Sequence, residues 1–244
     1  MICKLCGSDG KLIEAHIIPR SFFRLDPKDK TPARLITNVE GRYAQSIPKG
    51  VYDKGIVCES CERTFARWDD YGADLLVKNW ASIQPLMAGS EHVGYGLPAY
   101  DYAALKLFFL SLLWRAAVST HPMFEKVDLG PRESGLKQSI LSGDAGDMNH
   151  FGVVLQAFDD DNVGMLNPEP ERLQKLRFIR FYLAHIIAFI KVDSQPFADP
   201  LDEIALNPGK PLTLLKKLFV GSRERKAMLN VVHAQQKAAS AAAV

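Results

Sequence analysis

Apolar and polar positions change their period several times along the chain. Residues Lys11 to Ile18 close on an apolar run that predicts a strand, and Pro19 ends it because proline cannot donate to a ladder. An irregular stretch punctuated by Pro27, Pro32, Gly41, Pro48 and Gly50 follows, with a short strand expected around Arg34 to Val39. Tyr52 to Val57 predicts a second strand. From Ser60 onward, Cys61, Phe65, Trp68, Leu75 and Leu76 recur at helical spacing, which predicts a helix broken near Gly72.

Beyond it, "LMAGSEHVGYGLPAYD" is glycine-rich and interrupts the periodicity, which marks a domain boundary. Tyr102 to Val118 is apolar nearly all round and predicts a buried helix. "SGDAGDMNH" from Ser142 to His150 reads as a loop, and Phe151 to Phe158 as a strand. "RFIRFYLAHIIAFIKVD" fits two strands or one buried helix, and its aromatic and β-branched content favours strands. "PLTLLKKLFVGSRERKAMLNVVHAQQKAAS" predicts one or two terminal helices.

These elements predict an α+β protein in three parts. Residues 1–85 would form a small domain, 86–100 a linker, and 101–244 a larger, mainly helical domain with a possible small antiparallel sheet. The longest apolar stretches are bounded by Lys or Arg and fall short of the roughly 20 residues a membrane span needs, so no membrane association is expected. Cys3 and Cys6 interrupt the layout of a secretory leader, which places the protein in the cytoplasm as an expectation. A formal charge of +2 excludes a strongly basic, counterion-releasing chain. Nucleic-acid contacts must then come from local patches such as Arg20, Arg24, Lys28, Lys30 and Arg34. A second basic run, Lys216, Lys217, Arg223, Arg225 and Lys226, reads as a solvated helix face or as a contact for a nucleic-acid backbone or an acidic partner.

The four cysteines form two CxxC pairs, Cys3 with Cys6 and Cys58 with Cys61, separated by 51 residues. In a reducing compartment that pattern predicts a tetrahedral Zn²⁺ site, and four thiolates leave no position open for water, so the zinc would be structural.

The run of CxxC, "EAHIIP" and "YDKGIVCESCE" resembles the zinc-stapled HNH endonucleases over about residues 1 to 70. The resemblance implies a ββα-metal fold and hydrolysis of phosphodiester bonds in DNA. His16 would be the general base, and imidazole suits that role because its pKa lies near the operating pH. Asp53 falls where such enzymes carry an asparagine that supports the base, and Glu62 where they carry a ligand of a catalytic Mg²⁺ or Mn²⁺. The resemblance thus makes His16, Asp53 and Glu62 the catalytic candidates, with Asp53 and Glu62 as ligands of the second metal. Ala15 stands where many members have a metal-binding aspartate or histidine, and Glu14 or Asp69 would substitute for it. Such nucleases occur in restriction, phage defence and mobile elements. DNA is the expected partner, and the C-terminal domain would serve substrate choice, a protein partner or self-association. The alternative is a non-catalytic zinc-dependent module that grips nucleic acid or protein.

Overall fold

The structure is a computed structural model that describes residues 1–23, 34–35, 45–46, 50–160 and 165–242. The first cysteine pair lies in a tight knuckle in which Cys3 N donates to Ser8 O (3.0 Å) and Gly7 N to Cys3 O (2.9 Å). Lys4 N to Ile56 O (2.9 Å) and Ile13 N to Val57 O (3.1 Å) sew that knuckle to the chain preceding the second pair. Four strands follow in sequence: β1 (Ala15–Ile18), β2 (Arg34–Leu35), β3 (Gln45–Ser46) and β4 (Val51–Asp53). β2 pairs with β3, and β1 runs antiparallel to β4, with Ala15 opposite Asp53 and His16 opposite Tyr52 before the register shifts by Ile18. Of the expected strand from Arg34 to Val39, only Arg34 and Leu35 lie within the described residues.

Helix α1 (Glu59–Ala73) starts directly after Cys58 and buries Cys61, Phe65, Trp68, Gly72 and Ala73 along one stripe. The expected break at Gly72 does not occur; the chain runs on through a π-helical turn, Asp74–Lys78. Gly72 has a packing reason instead, since a Cβ there would lie 2.7 Å from Cγ of the buried Phe108.

The hairpin β5 (Gln84–Ala88) and β6 (Glu91–Leu97) leads into α2 (Tyr102–Val118), whose residues 105 to 116 are all buried. Asp101 caps α2 by accepting from Ala104 N at 2.9 Å. Next come α3 (Glu133–Ser142), β7 (Val153–Phe158), β8 (Glu169–Leu173), β9 (Leu176–Leu183), β10 (Ile186–Lys191), α4 (Leu201–Ile204), β11 (Leu212–Lys217) and α5 (Arg223–Ala242). Seven strands form one sheet in the order β5-β6-β11-β7-β10-β9-β8, with β11 parallel to β7 and every other pair antiparallel. β7, β9 and β10 are buried almost without interruption, as expected of central strands covered on both faces.

The class is α+β, but three expectations change. The C-terminal part is built on a seven-stranded sheet rather than being mainly helical with a small one. Residues 86–100 are not a linker, because they supply most of the β5–β6 hairpin at the sheet's edge. Their glycines read as breakers, yet Gly94 is there because a Cβ would stand 2.5 Å from Leu214 O on the neighbouring strand. "PLTLLKK" forms β11, not helix, with Leu212 and Leu214 buried in alternation. The two-strand reading of residues 177–193 holds, as β9 and β10. A contiguous apolar core extends from Cys3 to Met228, and α1 packs on α2 across the boundary expected between domains.

Replacing Gly72 by Ala should cost about 1–3 kcal/mol in urea unfolding, the usual penalty for overpacking. Gly135→Ala, inside α3 with nothing within 4 Å of the new methyl, should instead gain about 0.5–1 kcal/mol.

Candidate metal and active-site centre

The two knuckles bring Cys3, Cys6, Cys58 and Cys61 together, with their four Sγ atoms within 4.8 Å of one another. Cys3 to Cys61 is 3.7 Å and Cys6 to Cys58 is 3.8 Å. Zn–S bonds of about 2.3 Å in a tetrahedron place sulfurs about 3.8 Å apart, so this donor set could hold a metal ion such as zinc. Cys58 N donates to Cys3 Sγ at 3.4 Å, and the Ser60 hydroxyl holds the Cys58 thiol down to about 6. Burial pushes the Cys61 thiol up. Because Cys58 also begins α1, a metal here would fix the start of that helix against the first knuckle.

One turn farther along α1, Glu62 faces β1. Its Oε1 accepts from His16 N at 3.1 Å and lies 4.0 Å from His16 Nδ1. The imidazole side chain is 43% exposed and the Glu62 side chain 19%. Both line a cleft of about 470 Å³ together with Glu14, Arg20, Asp69 and Asp70. Burial pushes the Glu62 carboxyl above its ordinary range, opposed by the nearby Arg115 charge. Its Oε2 is buried with no hydrogen-bond partner among the described residues.

The backbone of His16 is held from two sides. While Glu62 takes its N–H, Arg115 Nη1 donates to its carbonyl at 2.6 Å. Arg115 lies on α2, is 0% exposed, and forms a two-pronged pair with Asp69 (2.6 and 2.8 Å). Its remaining donors reach Ser111 O and Ser111 Oγ, both at 3.2 Å, and the guanidinium lies 4.9 Å from the centre of the Phe65 ring.

Asp53 departs from expectation. Strand alternation turns Ala15 and Asp53 to the buried face of the β1–β4 pair and His16 and Tyr52 to the cleft. Asp53 Oδ2 accepts from Ser119 Oγ (2.8 Å), Thr120 N (2.9 Å) and Thr120 Oγ1 (3.2 Å), and Oδ1 from Gly55 N (2.8 Å). Burial alone would push this carboxyl up, but those hydrogen bonds outweigh it and hold it below the usual range. It therefore ties β4 to the end of α2 and does not reach the His16 face. Ala15 also points inward, so position 15 lies on the wrong side of the strand for the cleft.

Asp69 lines the cleft but is engaged by Arg115, which removes it as a substitute ligand. Glu14 lines it as well and pairs with Lys54 at 2.9 Å. Asp70, which nothing in the sequence pattern singles out, lines the cleft as well. Arg20 projects from a single 3-10 turn, Arg20–Phe23, at the mouth of the cleft. Arg24, Lys28 and Lys30 lie outside the described residues. Comparisons with protein-family models, curated proteins and solved structures find no match to this chain. No helix among the described residues is long and apolar enough to cross a membrane.

Purified protein should carry one zinc per chain by elemental analysis, and a strong chelator should lower its melting temperature, with Cys58→Ser giving the same loss. Asp69→Ala, which strands a buried guanidinium, should cost about 3–5 kcal/mol in chemical denaturation. Asp53 has a depressed folded-state pKa, so its contribution to stability is present above about pH 4 and lost as pH falls through the lower folded value. Asp53→Asn should flatten that part of the acid-stability profile.

Proposed function

We propose that this chain is a metal-dependent endonuclease of the HNH type that hydrolyses phosphodiester bonds in DNA, with His16 as general base. The observation that carries this reading is the approach of His16 Nδ1 and Glu62 Oε1 to 4.0 Å in an open cleft, from residues 46 positions apart in sequence. They sit on the first strand and the helix of a ββα unit whose helix begins at the cysteine cluster.

His16 would take a proton from water as the water oxygen attacks phosphorus and the P–O bond to the leaving sugar oxygen breaks, that oxygen taking up a proton from solvent. The clamp on both backbone groups of His16 keeps the imidazole at the cleft wall, which limits the reorganisation the reaction needs. Glu62 would hold a Mg²⁺ or Mn²⁺ ion at the cleft without the expected contribution of Asp53. Such an ion, when bound, supplies charge stabilisation for the phosphate and the departing oxygen. Arg20 at the mouth suits a non-bridging phosphate oxygen. The four thiolates would hold a structural zinc and take no part in the chemistry.

The engagement of Asp53 by Ser119 and Thr120 favours the second reading, a zinc-dependent module that binds nucleic acid or protein without cleaving it. Plasmid cleavage separates the two. Zinc-loaded wild-type protein should nick or linearise supercoiled DNA only with added Mg²⁺ or Mn²⁺. His16→Ala should lower the rate by about 10²–10⁴-fold while retaining zinc and fold. Glu62→Gln should abolish Mn²⁺ binding measured by calorimetry. Inert wild-type protein that also binds no second divalent ion would select the binding module.

A further inference from the structure

Charge is unevenly distributed along the chain. Residues 205–244 contain seven of the thirty Lys and Arg but one of the twenty-eight Asp and Glu, a formal +6 against −4 for residues 1–204. That one acid, Glu224, is 1% exposed and internally engaged. Its Oε1 lies 3.4 Å from Lys217 Nζ and 3.2 Å from Arg223 Nε, and accepts from the Tyr182 hydroxyl at 3.2 Å. Arg223 also pairs with Glu171. Lys210, Lys216, Arg225 and Lys226 remain exposed or half-exposed, with no carboxylate at ion-pair distance among the described residues.

The same region carries a groove of about 570 Å³ lined by Ser222, Arg225, Lys226, Leu229, Asn230 and His233. Ser222, Lys226, Asn230 and His233 recur every three or four residues, so they follow one face of α5 over about 16 Å at 1.5 Å per residue. Each of those four side chains can donate a hydrogen bond. A stripe of that length follows about three successive phosphates of one strand, which lie about 7 Å apart along the backbone. The face of α5 that carries Glu224 and Met228 is buried against the protein's own core, while Leu229 is exposed beside the basic residues of the groove.

We propose that the β11–α5 surface is a second nucleic-acid contact that grips the phosphate backbone without reading sequence; it takes from the nuclease reading only the class of polyanion. The chemistry is complementary: a row of donors and unneutralised cations on one side, acceptor-only phosphates on the other. The surface would also supply the counterion-release affinity that the acidic remainder of the chain cannot.

The test is fluorescence anisotropy of a short labelled DNA duplex with the full-length, zinc-loaded protein, across a salt series and without added Mg²⁺ or Mn²⁺. The double variant Arg225→Gln, Lys226→Gln should bind about tenfold more weakly or worse, with the log–log salt slope reduced by about 2. Its melting temperature should be unchanged because both side chains are exposed. Lys175→Gln, which removes an exposed charge from the β8–β9 turn, should leave affinity and slope at the wild-type values. Unchanged binding and slope in the double variant would overturn the proposal, as would binding to phosphatidylserine vesicles or an acidic peptide but not to the duplex. His16→Ala should bind the duplex like wild type. Absent cleavage with binding that still depends on Arg225 and Lys226 would sink the nuclease reading alone, whereas intact cleavage with binding indifferent to them would sink the surface alone.

Discussion

The guanidinium of Arg115 donates every one of its N–H groups to protein acceptors drawn from three elements: the His16 carbonyl on β1, the Asp69 carboxylate on α1, and Ser111 on its own helix α2. A buried ion pair of this kind is weak evidence for net stability, since desolvation offsets much of the attraction. What it does enforce is arrangement. An arginine that is 0% exposed tolerates no relative shift of β1, α1 and α2 that would leave a donor unmet.

That constraint explains why the cleft is built as it is. β1 is only four residues long and pairs with a three-residue strand, too little ladder to hold a side chain in place by itself. The two outward backbone groups of His16 are taken by Glu62 and Arg115, so the strand is fastened from α1 and α2 as well as from β4. At the start of α1 a metal held by the cysteine cluster would fix the helix against the first knuckle, and Phe108 closing on Gly72 fixes its far end. Glu62 lies between these anchors, where a carboxylate can be kept near an imidazole with one oxygen buried. Asp53 serves the same end differently, by bolting β4 to Ser119 and Thr120 after α2. The unit of β1, β4 and α1 is therefore completed by residues from beyond the expected linker.

Much of this was legible locally. Two CxxC pairs predict a common cluster because thiolate ligation imposes short spacings within each knuckle, and the apolar continuity of Tyr102 to Val118 predicts a buried helix with the observed bounds. His16 and Glu62 are paired by the resemblance, whereas Asp70 joins the cleft through tertiary placement alone. Asp53 is a candidate only through the position the resemblance gives it, and strand pairing shows that it occupies the opposite face. The hairpin at 84–97 was misread for a related reason. Gly94 answers to the closeness of β11, more than a hundred residues later, and a local reading takes it for a breaker.

The sequence by itself determined the metal-binding pattern, the helices α1 and α2, the paired strands β9 and β10, and the α+β class, because each follows from spacing within a few turns of chain. The tertiary structure decided which side of β1 faces the cleft, that Asp53 and Asp69 are engaged as structural partners, and that Arg115 joins β1 to α2. It also decided that residues 84–97 and 212–217 become adjacent strands of one sheet. These depend on contacts between distant segments, where packing and the satisfaction of buried polar groups override local propensity.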